Sequence, residues 1–222
     1  MIRHSSTTHA VKYYQYNREE MLSFIPKDAR SVLDVGCASG RFGALVKHKI
    51  GAEVWGIEIE KKMAEEAAKR LDKMLTGDVS VCIADLPENY FDCIIFNDIL
   101  EHLADPFSVL TSVMGNLSGR GRIVCSIPNI RHFKVLKKLV LKGEWEYKEA
   151  GILDRTHLRF FTYKSIRKTM DSLGYTIEIL QGLKPIKKWK HLWIIYLFYP
   201  WLWDTRFYQF ACVAKPSAGT FS

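Results

Sequence analysis

"SVLDVGCASGRFGALV", Ser31 to Val46, sets the fold. Four apolar or β-compatible residues lead to an acid, Asp34. A turn carrying Gly36 and Gly40 follows, and the pattern then changes to helical spacing. A strand that ends in a glycine turn and opens directly into a helix is the first half of a βαβ unit, in which ligands gather at the carboxyl ends of the strands. The glycines let the chain reverse and let a ligand and the next helix approach closely. The dinucleotide fingerprint would need G-x-G-x-x-G. The aligned frame here is "ASGRFG", with Ala38 in the first glycine position, and no G-x-x-x-x-G-K-[ST] loop occurs. A carboxylate beside the turn suits a ligand that carries positive charge.

The pattern repeats along the chain. Strands are expected at Ser31–Val35, Glu53–Glu58, Met74–Asp78, Phe91–Asn97, Gly121–Ile127, Tyr175–Leu180 and Phe207–Ala214. Helical patterns separate most of them, among them "EKKMAEEAAKRLDKM" and "DPFSVLTSVMGNLSG", the latter with Asp105 and Pro106 in cap and first-turn positions and an end at Gly119. The expected fold class is α/β: a Rossmann-like, doubly wound sheet. Between Ile130 and Tyr175 the alternation stops, and a segment rich in Lys, Trp, Tyr, His and Arg (130–174) reads as an insertion on the substrate side. "HAVKYYQYNREEMLSFIP" reads as a helical cover within residues 1–30, with Tyr13, Tyr14 and Arg18 placed to close over a ligand.

Glu58 ends the second strand eighteen residues after Gly40, where a carboxylate can accept two hydrogen bonds from a ribose diol. "TGDV" at the end of the third strand offers Asp78 as a polar acceptor and Val79 as an apolar wall, a pairing suited to adenine. Ribose, adenine and a cationic amino acid portion together describe S-adenosylmethionine.

From about Lys12 to Leu180 the chain resembles the class I S-adenosylmethionine-dependent methyltransferases. The resemblance rests on "VLDVGCASGRFG", "VWGIEIE", "LTGDV", "LPENYFDCIIFNDILEHLADP" and "GRIVCSIPN". It implies seven strands, the last one, "FYQFACVAKP", antiparallel. It also implies that Asp34 and the Gly36–Gly40 turn, with Cys37, hold the methionine portion. Glu58 and Ile59 would take the ribose side, Asp78 and Val79 the adenine, and Asn97, Asp98 and Ile99 the floor beneath the cofactor, with Tyr14 as a contact from the N-terminal cover. S-adenosylhomocysteine would be the product. The stretch "SIPNIRHFKVLKKLVLKGEWEYKEAGILDRTHLRFFTYKSIRKTM" looks like the bacterial branch associated with cell-surface glycan synthesis.

The acceptor side is expected to be a small or sugar-like molecule methylated on oxygen or nitrogen. His157 is the first candidate base, because imidazole titrates near neutral pH, and His102 is the second. Asn129, Arg131, Arg155 and Arg159 are substrate candidates; Arg155 or Arg159 could grip a phosphate or carboxylate, or simply pin the insertion to the sheet. Nucleic acid is disfavoured as acceptor, since "NDIL" stands where an asparagine-proline-proline-tyrosine signature would follow the fourth strand.

Bulk composition agrees. The chain has 222 residues, enough for one well-buried domain, and a formal charge of +8 that suits an anionic acceptor or a solvated surface. Five cysteines without CxxC spacing argue against a disulfide framework and against a zinc site, so no metal is expected. The N-terminus lacks a secretory pattern, which places the chain in the cytoplasm. The stretch at 184–206 mixes lysines with tryptophans; peripheral membrane contact, a homodimer face and core packing all fit it. An NAD-dependent or nucleotide-sugar oxidoreductase, or a binding protein that has lost catalysis, remains the alternative to a methyltransferase.

Overall fold

The structure is a computed structural model that describes residues 18–186 and 199–218. Its frame is a seven-stranded sheet whose strands, numbered along the chain, are β1 (Ser31–Val35), β2 (Glu53–Glu58), β3 (Lys73–Thr76), β4 (Phe91–Asn97), β5 (Leu117–Pro128), β6 (Tyr175–Pro185) and β7 (Phe207–Pro216). Their spatial order is β3-β2-β1-β4-β5-β7-β6. All neighbours pair in parallel except β7, which runs antiparallel to both β5 and β6. The order reverses between β1 and β4, so the crevice at their carboxyl ends is the topological switch point where such sheets take ligands.

The period of two along each strand sorts side chains into two cores, one per face. Leu33, Val35, Ile57, Ile94, Phe96 and Ile123 belong to one. Val32, Val54, Cys93, Ile95 and Val124 belong to the other. Burial on both faces explains why β1 and β4 read as continuous apolar runs.

Helices α1 (Arg41–Ile50), α2 (Lys61–Ala68), α3 (Val79–Cys82), α4 (Pro106–Ser112), α5 (Phe133–Lys142), α6 (Tyr163–Ser172) and α7 (Tyr199–Leu202) fill the connections. Local chemistry starts several of them. Asp105 accepts hydrogen bonds from the N–H groups of Phe107 and Ser108, both at 3.1 Å, with Pro106 in the first turn of α4. Thr162 and Ser165 cap α6 reciprocally.

Several boundaries differ from the sequence expectation. β3 stops at Thr76, not Asp78, because Asp78 caps α3 by accepting from the Ser80 N–H. α4 ends at Ser112 and tightens into a 3₁₀ turn over Val113–Asn116 instead of running to Gly119. There the Asn116 amide donates to the Leu86 and Pro87 carbonyls, and Leu117 turns away to pair with Phe91, so β5 begins four residues before Gly121. In the N-terminal cover, the described part is a 3₁₀ turn, Glu19–Phe24, that buries Met21 and Phe24 under the sheet. Tyr13 and Tyr14 lie outside the described residues, as do 187–198 of the basic aromatic stretch. Of its remainder, Trp203 packs on Tyr163 with ring centroids 4.8 Å apart, and Asp204 and Thr205 are buried. That part of the stretch is core. No helix among the described residues is long and apolar enough to cross a membrane.

Candidate active site

The β1–α1 turn is held from behind by β2. The Gly36 and Cys37 N–H groups both donate to the Ile57 carbonyl, at 2.8 and 3.1 Å. Gly36 has a φ of +67°, and a Cβ there would sit 2.3 Å from Cγ1 of Ile99. Only glycine lets the turn and the residue after β4 come this close. Gly40 and Gly43 serve packing: a Cβ on the first would press the Ala67 backbone at 3.0 Å, and on the second Leu71 at 2.7 Å.

Glu58 stands at the tip of β2, but its carboxylate already shapes the turn. Oε2 accepts from the Ala38 N–H at 2.8 Å and Oε1 from the Glu60 N–H at 2.9 Å. The first bond stabilises Ala38 at a φ of +48°, in the left-handed region that an alanine adopts only at a cost. Each oxygen keeps a second lone pair for a ribose hydroxyl. Asp34 is buried behind the turn. It accepts from the Gly43 N–H, Oδ2 has no hydrogen-bond partner, and burial together with the Glu58 charge pushes its carboxyl up to about 7. Cys37 turns inward, its thiol 3.8 Å from the Met74 sulfur and driven far above the ordinary thiol range by burial. It contributes to the turn through its backbone, not its side chain.

Around the next two strand tips the surface is half apolar and half polar. Ile59, after β2, and Val81, in α3, are both 69% exposed, and Val79 is buried beneath them. Asp78 uses Oδ1 on the Ser80 N–H and hydroxyl, leaving Oδ2 as an acceptor. At the end of β4 both polar atoms of the Asn97 side chain are buried without a partner. Asp98, at a φ of +50°, is by contrast saturated: its N–H and Oδ1 engage Ser126, and Oδ2 pairs with the Arg18 guanidinium. Arg18 is thus a clamp on the floor rather than a free lid residue.

Beyond that floor lies a cluster only partly visible in the sequence. Glu101 is 1% exposed, and both of its carboxylate oxygens lack hydrogen-bond partners. Burial raises its carboxyl to about 8. Nε2 of His157 lies 4.0 Å from Oε1 of Glu101, and the His102 and His157 rings stack edge to face at 4.7 Å. Burial lowers both imidazoles, His102 additionally through His157, which favours the neutral rings. His157, the first candidate base, is 6% exposed and sits behind His102, which is half-buried, so His102 is the imidazole an acceptor could reach. Sequence reasoning singled out the two histidines and missed Glu101. Its signal was an acid within "ILEHL", an otherwise apolar turn.

The four substrate candidates are anchored elsewhere. Asn129 is fully buried; its amide donates to the Asp204 and Phe207 carbonyls at 2.9 and 3.1 Å, and its oxygen accepts from the Arg131 N–H. It is a staple between β5 and the turn before β7, with its amide donors spent. Arg131 pairs with Asp204 and donates to the Trp201 carbonyl. Arg155 pairs with Glu149 on the surface, and Arg159 caps the carbonyls of Leu158 and Ala104. What remains for an acceptor is a cavity of about 680 Å³ lined by Lys134, Lys138, Lys148, Lys184, His132 and Tyr208. It shares Ile152 with the histidine cluster, because the Ile152 carbonyl accepts from Nδ1 of His157 at 3.0 Å.

Residues 8–179 match the profile of the methyltransferase domain. The chain belongs to that family. This methyltransferase domain is 32% identical over 123 residues to a ubiquinone biosynthesis O-methyltransferase of Proteus mirabilis, a match covering 52% of the chain and 49% of the relative. It is 26% identical over 169 residues to the Shewanella sp. protein of the same name, covering 69% and 70%. The chain spans about half the length of the first curated relatives it matches. Its fold is that of a methyltransferase from Archaeoglobus fulgidus (TM-score 0.64, 22% identity, 93% of both chains) and of one from Aquifex aeolicus (TM-score 0.60, 14% identity, 91% of both). The seven-stranded sheet with its antiparallel strand is the arrangement expected from the sequence of this methyltransferase domain.

Proposed function

We propose that the chain is an S-adenosylmethionine-dependent methyltransferase that methylates a hydroxyl of a small, anionic acceptor. The observation that carries this is the distribution of hydrogen-bonding capacity around the switch point. Asp34 Oδ2 and the whole Asn97 amide are buried and unpaired, while their neighbours Glu58, Asp78 and Asp98 are largely spent in holding the backbone. Buried polar atoms cost about 1–3 kcal/mol each when unpaired, and a ligand that pairs them recovers this. Asp34 and Glu58 supply negative charge for a sulfonium amino acid and a ribose diol; Ile59, Val79 and Val81 supply apolar surface for adenine.

When bound, this cofactor offers an electrophilic methyl group. The chain's own task is positioning, worth roughly 7–11 kcal/mol of a bimolecular barrier. The turn and the Asn97–Ile99 floor would fix one partner, and the lysine-lined cavity the other. Removal of the acceptor proton falls to the Glu101–His102–His157 cluster. The names of the curated relatives favour oxygen over nitrogen as the methylated atom. A sugar-like acceptor in glycan synthesis rests on the resemblance of the 126–170 stretch alone. An oxidoreductase is disfavoured by Ala38 in the first glycine position of the dinucleotide frame.

Calorimetry with S-adenosylmethionine, S-adenosylhomocysteine and NAD tests the reading. Uptake of the first two and not of NAD is expected; NAD alone, or none of the three, refutes it. His102→Ala and His157→Ala should each cut turnover on a hydroxyl acceptor at least tenfold while sparing cofactor binding.

A further inference from the structure

The geometry points to a divalent metal site of the zinc class, built from Glu101, His102 and His157 at the acceptor end of the site. One candidate ligand atom from each lies within 4.8 Å of the others. The hydrogen bonds behind the rings determine which nitrogens carry lone pairs. Nδ1 of His157 faces the Ile152 carbonyl, which can only accept, so Nδ1 holds the proton and Nε2 is free. For His102 the argument runs one residue further. The Thr156 hydroxyl spends its proton on Oδ1 of Asp154 at 2.7 Å, and Nδ1 of His102, 3.1 Å from that hydroxyl and 3.3 Å from the Thr156 carbonyl, therefore donates to it. Nε2 of His102 is the free lone pair.

Two imidazoles with Nδ1–H tied to oxygen acceptors, and Nε2 presented towards a carboxylate, form the outer-shell arrangement that orients histidine ligands on zinc. The carboxylate itself supplies the independent observation. Glu101 is 1% exposed with neither oxygen paired, and Nε2 of His157, its nearest candidate partner, stands 4.0 Å away, beyond hydrogen-bond range. A cation bonded at about 2.0–2.1 Å to each atom would draw the three together by less than an ångström and occupy the space between them. Nitrogen and oxygen donors without thiolate suit Zn²⁺, Co²⁺ or Fe²⁺ rather than Ca²⁺ or Mg²⁺. Exposure rises from Glu101 through His157 to half-buried His102, so the open coordination position would face the acceptor side. There it would hold a hydroxyl oxygen and lower its pKa, the proton leaving to water. That role rests on the proposed methyl transfer; the binding itself does not.

The probe is Co²⁺, titrated into metal-stripped full-length protein and followed by its visible d–d absorption. One saturable equivalent that Zn²⁺ displaces is expected. Glu101→Gln, close to isosteric, and His157→Gln should each abolish it with the circular dichroism spectrum unchanged. Thr156→Val, which loosens His102 without removing a ligand, should weaken it by about 10–100-fold. Absence of a saturable band overturns the site. So does a band that persists in both Gln variants, since it would belong to exposed histidines such as His48. Uptake of S-adenosylhomocysteine, measured on the same stripped protein, reports on the methyltransferase reading separately.

Discussion

Gly36→Ala tests the tightest approach in the site. Two costs can be worked out from the structure. At a φ of +67° an alanine pays the left-handed penalty, about 1–2 kcal/mol. Its Cβ would also overlap Cγ1 and Cδ1 of Ile99 at 2.3 and 2.4 Å, and Ile99, branched at Cβ, has few rotamers in which to retreat. Overpacking of this kind costs about 1–3 kcal/mol. The sum is about 2–5 kcal/mol, a fall in melting temperature on the order of 10 °C for a chain of this length. Only the second cost depends on Ile99. In a double-mutant cycle, Ile99→Ala should therefore return about 1–3 kcal/mol to Gly36→Ala and leave the backbone cost in place. Urea denaturation of the four proteins reads this directly. A coupling within about 0.5 kcal/mol of zero, or a Gly36→Ala protein as stable as its parent, would mean that the turn is not pressed against the floor, and the account of the cofactor cradle would fall with it.

Asp34 gives a pH signature. Its folded-state pKa of about 7 lies above the ordinary 3.8, so the stability it contributes is complete below about pH 3.8 and is lost as pH rises through about 7. The loss is at most about 4 kcal/mol. In ligand-free protein, Asp34→Asn should become progressively more stable than wild type between pH 5 and 8.5, yet bind S-adenosylhomocysteine more weakly; parallel stability curves would refute the burial argument. Asn129→Ala should destabilise by about 1–3 kcal/mol, because two carbonyls and the Arg131 N–H lose their partner, with KM for the acceptor unchanged if Asn129 is a staple. A raised KM at unchanged stability would return it to the substrate site.

The sheet was legible because its signals are local and repeated. Strand β1, the acid at its end and the glycine turn occupy one short stretch, and β2 and β4 were placed to the residue. Boundaries failed where a side chain from elsewhere intervened, as when Asp78 was drawn into capping α3 or Asn116 ended the turn after α4 by reaching the Leu86 and Pro87 carbonyls. Site residues followed the same division. The strand-tip positions were readable from the topology rule alone. The fate of Asn129, Arg131 and Arg159 was not, since each bonds to a backbone carbonyl or carboxylate distant in sequence or set by loop conformation. Glu101 escaped because a buried acid in an apolar turn has no periodic signature.

The polar groups along the carboxyl edge of the sheet fall into two sets, and the division has an energetic consequence. Glu58, Asp78 and Asp98 spend hydrogen bonds on backbone N–H groups, and two of the positions they stabilise, Ala38 and Asp98 itself, hold left-handed φ values. They build the cradle. Asp34 Oδ2, the Asn97 amide and the Glu101 carboxylate are buried with nothing to bond. Each weakens the empty fold by about 1–3 kcal/mol, so the protein has been left less stable than its core would allow. Such a cost persists in a fold only where something recovers it. Two ligands divide the task here: Asp34 and Asn97 line the switch-point crevice, while Glu101 faces the two imidazoles beyond the floor. Stabilisation by S-adenosylhomocysteine and by Co²⁺ should accordingly be close to additive, because the two ligands satisfy different orphaned groups.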